Sequence, residues 1–148
     1  MILFTSDLLF GSKILGAAKY AGLRGQGVRN RAALDQHAPH ATHFFLDLEA
    51  ELAEGESPEA LLDAALGHPH LRVFAFAGHL QADKLRAAQA RLAAAGDESA
   101  AARESPSHEI ASHKIPSHEV PSHEVHSRGS LHQRLAQILP PAATGAGS

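Results

Sequence analysis

The chain has 148 residues, of which 44% are apolar and 20% charged, and its formal net charge is −3. That length suits one domain with a substantial core, and the charge gives no indication of a nucleic-acid partner. Cysteine is absent, which excludes disulfides and thiolate metal sites and fits a reducing cytoplasm. No stretch approaches the ~20 apolar residues of a membrane span, and Asp7 and Lys13 interrupt the apolar N-terminus, so we expect neither a signal peptide nor a membrane partner.

The first part of the chain predicts two strands, each followed by a helix. Apolar residues predict strands over residues 2–5 and 23–28, the second polar enough to suit a sheet edge. Ser6 or Asp7 is suited to cap the first helix, which Gly22 ends, and Asn30 to cap a short helix over residues 31–37. Apolar residues recur at roughly helical spacing in the first helix: Leu8, Ile14, Leu15, Ala17, Ala18 and Ala21.

The third predicted strand, residues 42–48, is a nearly continuous apolar run that delivers one carboxylate, Asp47. A run of this kind is typical of a strand buried on both faces, as in parallel sheets. Ligands bind at the carboxyl ends of the strands in open α/β sheets. Asp47 is therefore the first candidate functional residue.

Two helices and a fourth strand follow. Ser57, Pro58 and Glu59 form a strong helix start, and this helix is predicted to end at Gly67. The fourth strand is predicted over residues 72–77. An alanine-rich helix is predicted over residues 82–95, closed by Gly96.

A pentapeptide of the type Pro-Ser-His-Glu-Val is then repeated four times from Pro106. We interpret residues 99–124 as a low-complexity, His-rich insertion within a single domain that spans residues 1–139. After it come a strand over residues 125–128 and a last helix capped by Ser130. The tail, residues 140–148, is expected to be disordered.

The alternation of strands and helices predicts an α/β fold with a five-stranded parallel sheet, doubly wound and flavodoxin-like. Four segments of it resemble the CheY-like receiver domain of two-component response regulators: residues 2–10 (ILFTSDLLF), 44–48 (FFLDL), 73–79 (VFAFAGH) and 125–128 (VHSR). In that family an acid pair after the first strand binds Mg²⁺, and an Asp ending the third strand accepts phosphate from a histidine kinase. A Ser or Thr ending the fourth strand and a Lys ending the fifth respond to the phosphate. By this resemblance Asp47 is the phosphoacceptor.

Three positions depart from the family pattern. The acid pair falls on Ser6 and Asp7, the switch hydroxyl on Ala77 and the Lys on Arg128. Asp7 and Asp47 would make a weak Mg²⁺ site, and Arg128 favours a bidentate pair with Asp47 that would hold one conformation. The resemblance thus implies a non-enzymatic signalling module, with or without phosphate uptake, whose partner is a histidine kinase or a downstream signalling protein.

The repeat supports an alternative function, binding of Zn²⁺ or Ni²⁺ through His108, His113, His118 and His123. A spacing of five alternates faces in a strand and leaves the i, i+4 face of a helix, so a metal site would need a folded loop. A solvated insertion is the other interpretation. The insertion should emerge at the amino ends of the strands, roughly 17–20 Å from Asp47. His79 and His126 lie near strand carboxyl ends, where they either face solvent or join Asp7 and Asp47 in a transition-metal site.

Overall fold

The computed structural model describes residues 1–101 and 122–143. Five strands form one parallel sheet in the order β2-β1-β3-β4-β5. Their bounds are β1 Ile2–Phe4, β2 Gln26–Gly27, β3 His43–Asp47, β4 Arg72–Ala77 and β5 Glu124–Ser127. The predicted α/β class and its flavodoxin-like sheet are confirmed.

Helices cover both faces of this sheet. Their bounds are α1 Leu8–Tyr20, α2 Arg31–His37, α3 Pro58–Leu66, α4 Ala82–Ala101 and α5 Arg128–Ile138. Side chains alternate between faces along a strand, so Phe45, Phe74 and Phe76 pack towards α1 and α5, whereas Phe44 and Leu46 pack towards α2, α3 and α4. Each of these five side chains is fully buried and contributes roughly 1.5–3 kcal/mol.

Helix caps predicted from local sequence are confirmed at three starts. The side chain of Asp7 accepts from the backbone N–H of Phe10, that of Asn30 from Ala33, and that of Ser57 from Ala60. Asp7 thereby begins α1 three positions after the last residue of β1, Phe4. Its second carboxylate oxygen is left free to face the sheet edge.

Two predicted bounds are wrong because a local signal was outweighed. β2 is only two residues long, since the segment pairs with β1 at the edge of the sheet and is exposed there. Gly96 does not end α4, which continues to Ala101. Glycine favours a helix end when the end requires a positive φ; among the described glycines that occurs at Gly22 and Gly55, not at Gly96.

The last strand and helix also differ from prediction by a few residues. β5 ends at Ser127, and Ser127, not Ser130, caps α5 by accepting from the N–H of Ser130 at 3.2 Å. The two serines are three positions apart, and the one that keeps an extended backbone becomes the cap. As a result Arg128 is the first residue of α5 and lies at the carboxyl edge of the sheet.

The buried face of α1 is narrower than the apolar pattern indicated. Phe10, Gly11, Ile14 and Ala18 are buried, but Leu8 is 83% exposed and Leu15 is 37% exposed. Spacing alone did not identify the core face because apolar residues occur around much of this helix.

The predicted His-rich repeat lies mostly outside the described residues, and so do His108, His113 and His118. Residues 99–101 of the predicted insertion belong to α4, and Glu124 begins β5. At the tail, the backbone N–H of Ala142 donates to the carbonyl of Tyr20 at 3.3 Å, and residues 144–148 lie outside the described part. None of the helices in the described ranges has the length and apolar character needed to cross a bilayer.

Acidification should destabilise the fold through two histidines at the amino ends of the strands. Burial, then the Arg72 guanidinium and the amino terminus, lowers the pKa of His43 to about 4; burial and Arg72 also lower the pKa of His123. The unfolded chain therefore binds more protons than the native state between about pH 6.5 and pH 4, and the free energy of unfolding falls as the pH drops through that window.

We expect His43→Phe, which keeps the stacking on Phe74, to reduce this loss by about 1 kcal/mol, allowing for partial exposure of the ring. Urea unfolding of the wild-type protein and of His43→Phe at pH 7 and pH 5 measures the decrease in the free energy of unfolding of each. Equal losses in the two proteins would contradict the assignment to His43.

Candidate functional site

Asp47 ends β3 between the neighbouring strands β1 and β4, and only 1% of its surface is exposed. One carboxylate oxygen, Oδ2, accepts a hydrogen bond from the hydroxyl of Thr5 at 2.7 Å. The other, Oδ1, accepts from the backbone N–H of Glu49 at 3.0 Å. Both oxygens are therefore satisfied, as a buried carboxylate requires.

Arg128 brings a guanidinium to three carboxylates at this edge. Its Nη2 lies 3.0 Å from Oε2 of Glu49 and 3.6 Å from Oδ2 of Asp47. Its Nη1 lies 3.6 Å from Oδ2 of Asp7. The shortest of these contacts is a charge-assisted hydrogen bond to Glu49, and the other two are ion pairs at longer range. We call these four residues the Arg128 cluster.

Glu49 connects the cluster to the loop that follows β4. The backbone N–H of Gly78 donates to Oε2 of Glu49 at 2.6 Å, the same oxygen that accepts from Arg128. A Cβ atom at Gly78 would lie only 3.2 Å from that oxygen. One carboxylate thus joins the ends of β3 and β4 to the start of α5.

Asp7 is held from the side of β1. Its backbone N–H donates to the hydroxyl of Thr5 at 3.1 Å, and its Oδ1 accepts from the N–H of Phe10 at 2.9 Å. Thr5 therefore links Asp7 to Asp47 through one hydroxyl group. The remaining oxygen of Asp7 faces Arg128.

An aromatic pair lies beside the guanidinium. The central carbon of the Arg128 guanidinium is 5.9 Å from the ring centre of Phe10, within cation–π range. Phe10 in turn packs edge-on against Phe76, with 5.1 Å between the ring centres. A second cation, Lys84, donates to the carbonyl of Leu48 at 3.3 Å. With three carboxylates and one guanidinium, the cluster itself remains anionic.

The residues predicted from sequence fall into two groups. Asp7, Asp47 and Arg128 come together, whereas Ala77 is buried at the end of β4 and Ser6 is exposed. The hydroxyl that contacts Asp47 belongs to Thr5, not to Ser6. Sequence reasoning missed Thr5 and Glu49, although Glu49 stands only two positions after Asp47.

His79 and His126 do not join the carboxylates of Asp7 and Asp47. His79 is exposed, and Nε2 of His126 lies 2.8 Å from Oε2 of Glu124, which also accepts from Arg134. Within residues 1–101 and 122–143, no group of three or more His, Asp or Glu side chains could hold a metal ion.

His123 is the one histidine of the repeat in the described part of the chain. It is half-buried, and its Nδ1 accepts from the backbone N–H of Val73 at 3.2 Å. That contact fixes the neutral ring against β4, in agreement with its lowered pKa. Zn²⁺ or Ni²⁺ binding by the full repeat stays a prediction.

Comparison with known proteins adds no family to this geometry: neither the protein-family models nor the curated proteins contain a match to the chain.

Removing the guanidinium should destabilise the fold, because it leaves the buried carboxylate of Asp47 beside two others without their counter-ion. Loss of one partner of a fully buried pair costs roughly 3–5 kcal/mol. The Arg128 side chain is 33% exposed, so we expect Arg128→Met to cost about 1–3 kcal/mol.

Arg134→Met is the matched control, because Arg134 lies on the same helix as Arg128 but is exposed and pairs with Glu124 of β5. Its removal should lower the free energy of unfolding by less than about 1 kcal/mol. Urea unfolding at pH 7 measures both. Equal decreases in the free energy of unfolding of the two variants would contradict a stabilising role specific to the Arg128 cluster.

Proposed function

We propose that this protein is a receiver-derived signalling module of a phosphorelay that no longer takes up phosphate and acts by protein–protein contact. The observation that carries the proposal is the Arg128 guanidinium among the carboxylates of Asp7, Asp47 and Glu49. Asp47 stands where the resemblance implies a phosphoacceptor. The proposal places the chain in the cytoplasm, which a sequence without cysteine fits.

Competition for the same oxygen atoms argues against a working Mg²⁺ site. Mg²⁺ binds through one or two carboxylates and retained waters, at about 2.0–2.1 Å and in near-octahedral geometry. Arg128 already contacts one oxygen of each carboxylate. A metal ion would have to displace a cation that is covalently part of the chain.

Phosphoryl transfer to Asp47 would lack its main electrostatic support. A metal ion neutralises the charge that develops on the transferred group, and here the cluster is anionic with Arg128 already paired. Asp47 is also nearly fully buried, and both of its oxygens accept hydrogen bonds. Attack on a phosphoryl donor would require several of these contacts to open at once.

The response expected of a receiver is also blocked at the end of β4. Ala77 has no hydroxyl to contact a phosphoryl group, and the loop that follows is tied to Glu49 through Gly78. We infer that the loop is held in one conformation, so the signal lies in which partner is bound, not in a phosphate-driven change.

A contact surface for a partner is available on α1. Of the five large apolar side chains that are exposed in the described ranges, four belong to this helix: Leu8, Leu9, Leu15 and Tyr20. Large exposed apolar side chains that are concentrated on one element favour a protein interaction site there. These residues support function through protein contact.

The wild-type protein, incubated with acetyl phosphate and Mg²⁺, should show no phosphoryl adduct by intact mass spectrometry. Thr5→Asp combined with Arg128→Lys places a second acid beside Asp47, where the Thr5 hydroxyl now contacts it, and the smaller cation at position 128. We expect this double variant to gain an adduct.

Adding Asp47→Asn to the double variant is the control, and it should abolish that adduct. An adduct on the wild-type protein that disappears in Asp47→Asn would overturn the proposal that phosphate uptake has been lost.

A further inference from the structure

Two histidines lie close together in the turn between α3 and β4. The ring centres of His68 and His70 are 6.0 Å apart, and the ring planes are inclined by 76°. Only Pro69 separates the two residues in the sequence. Because this turn precedes β4 in a parallel sheet, it lies at the amino ends of the strands, opposite Asp47. We call the two residues the His68–His70 pair.

The backbone that carries the pair is held by hydrogen bonds on both sides. The N–H of Leu71 donates to the carbonyl of His68 at 3.0 Å, which closes a four-residue β-turn, and the N–H of His68 donates to the carbonyl of Ala65 in α3 at 3.0 Å. Pro69 occupies the second position of this turn, where its fixed φ suits the turn. Leu71 is fully buried. The two imidazole rings therefore project from a backbone with little conformational freedom.

A further hydrogen bond determines which nitrogen of His70 carries the proton. Nε2 of His70 lies 2.9 Å from the carbonyl oxygen of Ala38. A carbonyl oxygen can only accept, so Nε2 must donate, and in the neutral ring the lone pair is then on Nδ1. Histidines that bind metal ions commonly donate their other ring N–H to a carbonyl or carboxylate, which fixes the tautomer and the ring orientation. The ring of His70 is therefore prepared to bind an ion through Nδ1.

The separation of the rings suits one ion between them. Bonds of about 2.0–2.1 Å from one nitrogen of each ring to a shared ion place the ring centres roughly 5–6 Å apart, and the two centres are 6.0 Å apart here. His68 is half-buried and His70 is exposed, so an ion can reach both rings from solvent. Imidazole nitrogen suits Zn²⁺, Ni²⁺ and Cu²⁺, whereas Mg²⁺ requires oxygen ligands.

We propose that the His68–His70 pair binds one divalent ion of the class of Zn²⁺, Ni²⁺ and Cu²⁺. Nδ1 of His70 is one ligand, a ring nitrogen of His68 is the second, and water completes the coordination. Residues 1–101 and 122–143 contain no group of three metal-binding side chains, so the site has two protein ligands and stays open to solvent. This site lies outside the histidine repeat, and it does not depend on the proposed loss of phosphate uptake.

Titration of the full, ¹⁵N-labelled chain with Cu²⁺ tests the proposal residue by residue, as a chain with 12 histidines requires. Paramagnetic broadening of the backbone amide signals of Ala38 and Leu71, which flank the pair, should be saturable. It should also begin at a lower ion concentration than broadening of the amide signal of His79, an exposed histidine at the other edge of the sheet.

Two variants remove one proposed ligand each. His68→Gln and His70→Gln should each weaken the local binding about tenfold or more, since even the loss of an outer partner of a metal ligand costs about that much. His79→Gln is the matched control, because it removes an exposed histidine outside the pair, and it should bind Cu²⁺ at the pair like wild type.

The nitrogen resonances of the imidazole rings test which atom binds. Zn²⁺, which is diamagnetic, should shift Nδ1 of His70 and leave Nε2 protonated, because Nε2 remains bonded to the carbonyl of Ala38. Loss of the Nε2 proton on addition of Zn²⁺ would overturn the assigned geometry.

Two results would overturn the pair as a metal site. One is broadening beside the pair that is no stronger than broadening beside His79, which would mean that each exposed histidine acts singly. The other is unchanged binding in both His68→Gln and His70→Gln. Rings that only pack edge-on against each other would give these results.

Discussion

The ion pairs between Arg128 and the carboxylates of Asp7, Asp47 and Glu49 balance a group of three acids, one of them buried, at one edge of the sheet. Burying a carboxylate as deeply as that of Asp47 costs desolvation free energy, and repulsion from two neighbouring acids is a second, separate cost. Hydrogen bonds from Thr5 and from the backbone of Glu49 compensate part of the desolvation cost. The guanidinium supplies the opposite charge that these neutral donors cannot.

The same interaction connects separate parts of the fold. β1 contributes the turn to Asp7, β3 leads to Asp47 and Glu49, and β4 leads to the backbone of Gly78. Arg128 begins α5 and contacts the carboxylates of Asp7, Asp47 and Glu49, the last of which also accepts from Gly78. A parallel sheet provides this meeting point because the carboxyl ends of its strands share one edge. The cation therefore ties together the loops that follow β1 and β3 and, through Glu49, the loop after β4, as the proposed non-switching module requires.

Local chemistry was sufficient to predict much of the fold. Apolar runs gave β3 and β4, and the caps Asp7, Asn30 and Ser57 were evident because a capping side chain acts within three residues. Asp47 was identified as the carboxylate that ends a buried strand and Arg128 by resemblance to a family, and the structure brings them together. Glu49 was not identified, because its role depends on Gly78 and Arg128, which are 29 and 79 positions away in the chain. The end of α4 and the exposed face of α1 were mispredicted because glycine and apolar spacing each have more than one structural meaning.

Titration with Mn²⁺, followed by paramagnetic broadening of backbone amide signals in NMR spectra, tests most directly whether Arg128 acts as the resident cation of this edge. With Arg128 in place, the side chains of the cluster do not form a metal-binding group. Removing the guanidinium leaves three acids without their counter-ion, and carboxylate oxygens are the ligands that attract a hard divalent ion. We expect Arg128→Ala to show saturable broadening around Asp47, lost again when Asp47→Asn is added, while the wild-type protein shows none. Equal, saturable broadening around Asp47 in the wild-type protein would mean that a metal ion and Arg128 share the pocket, and would contradict the account.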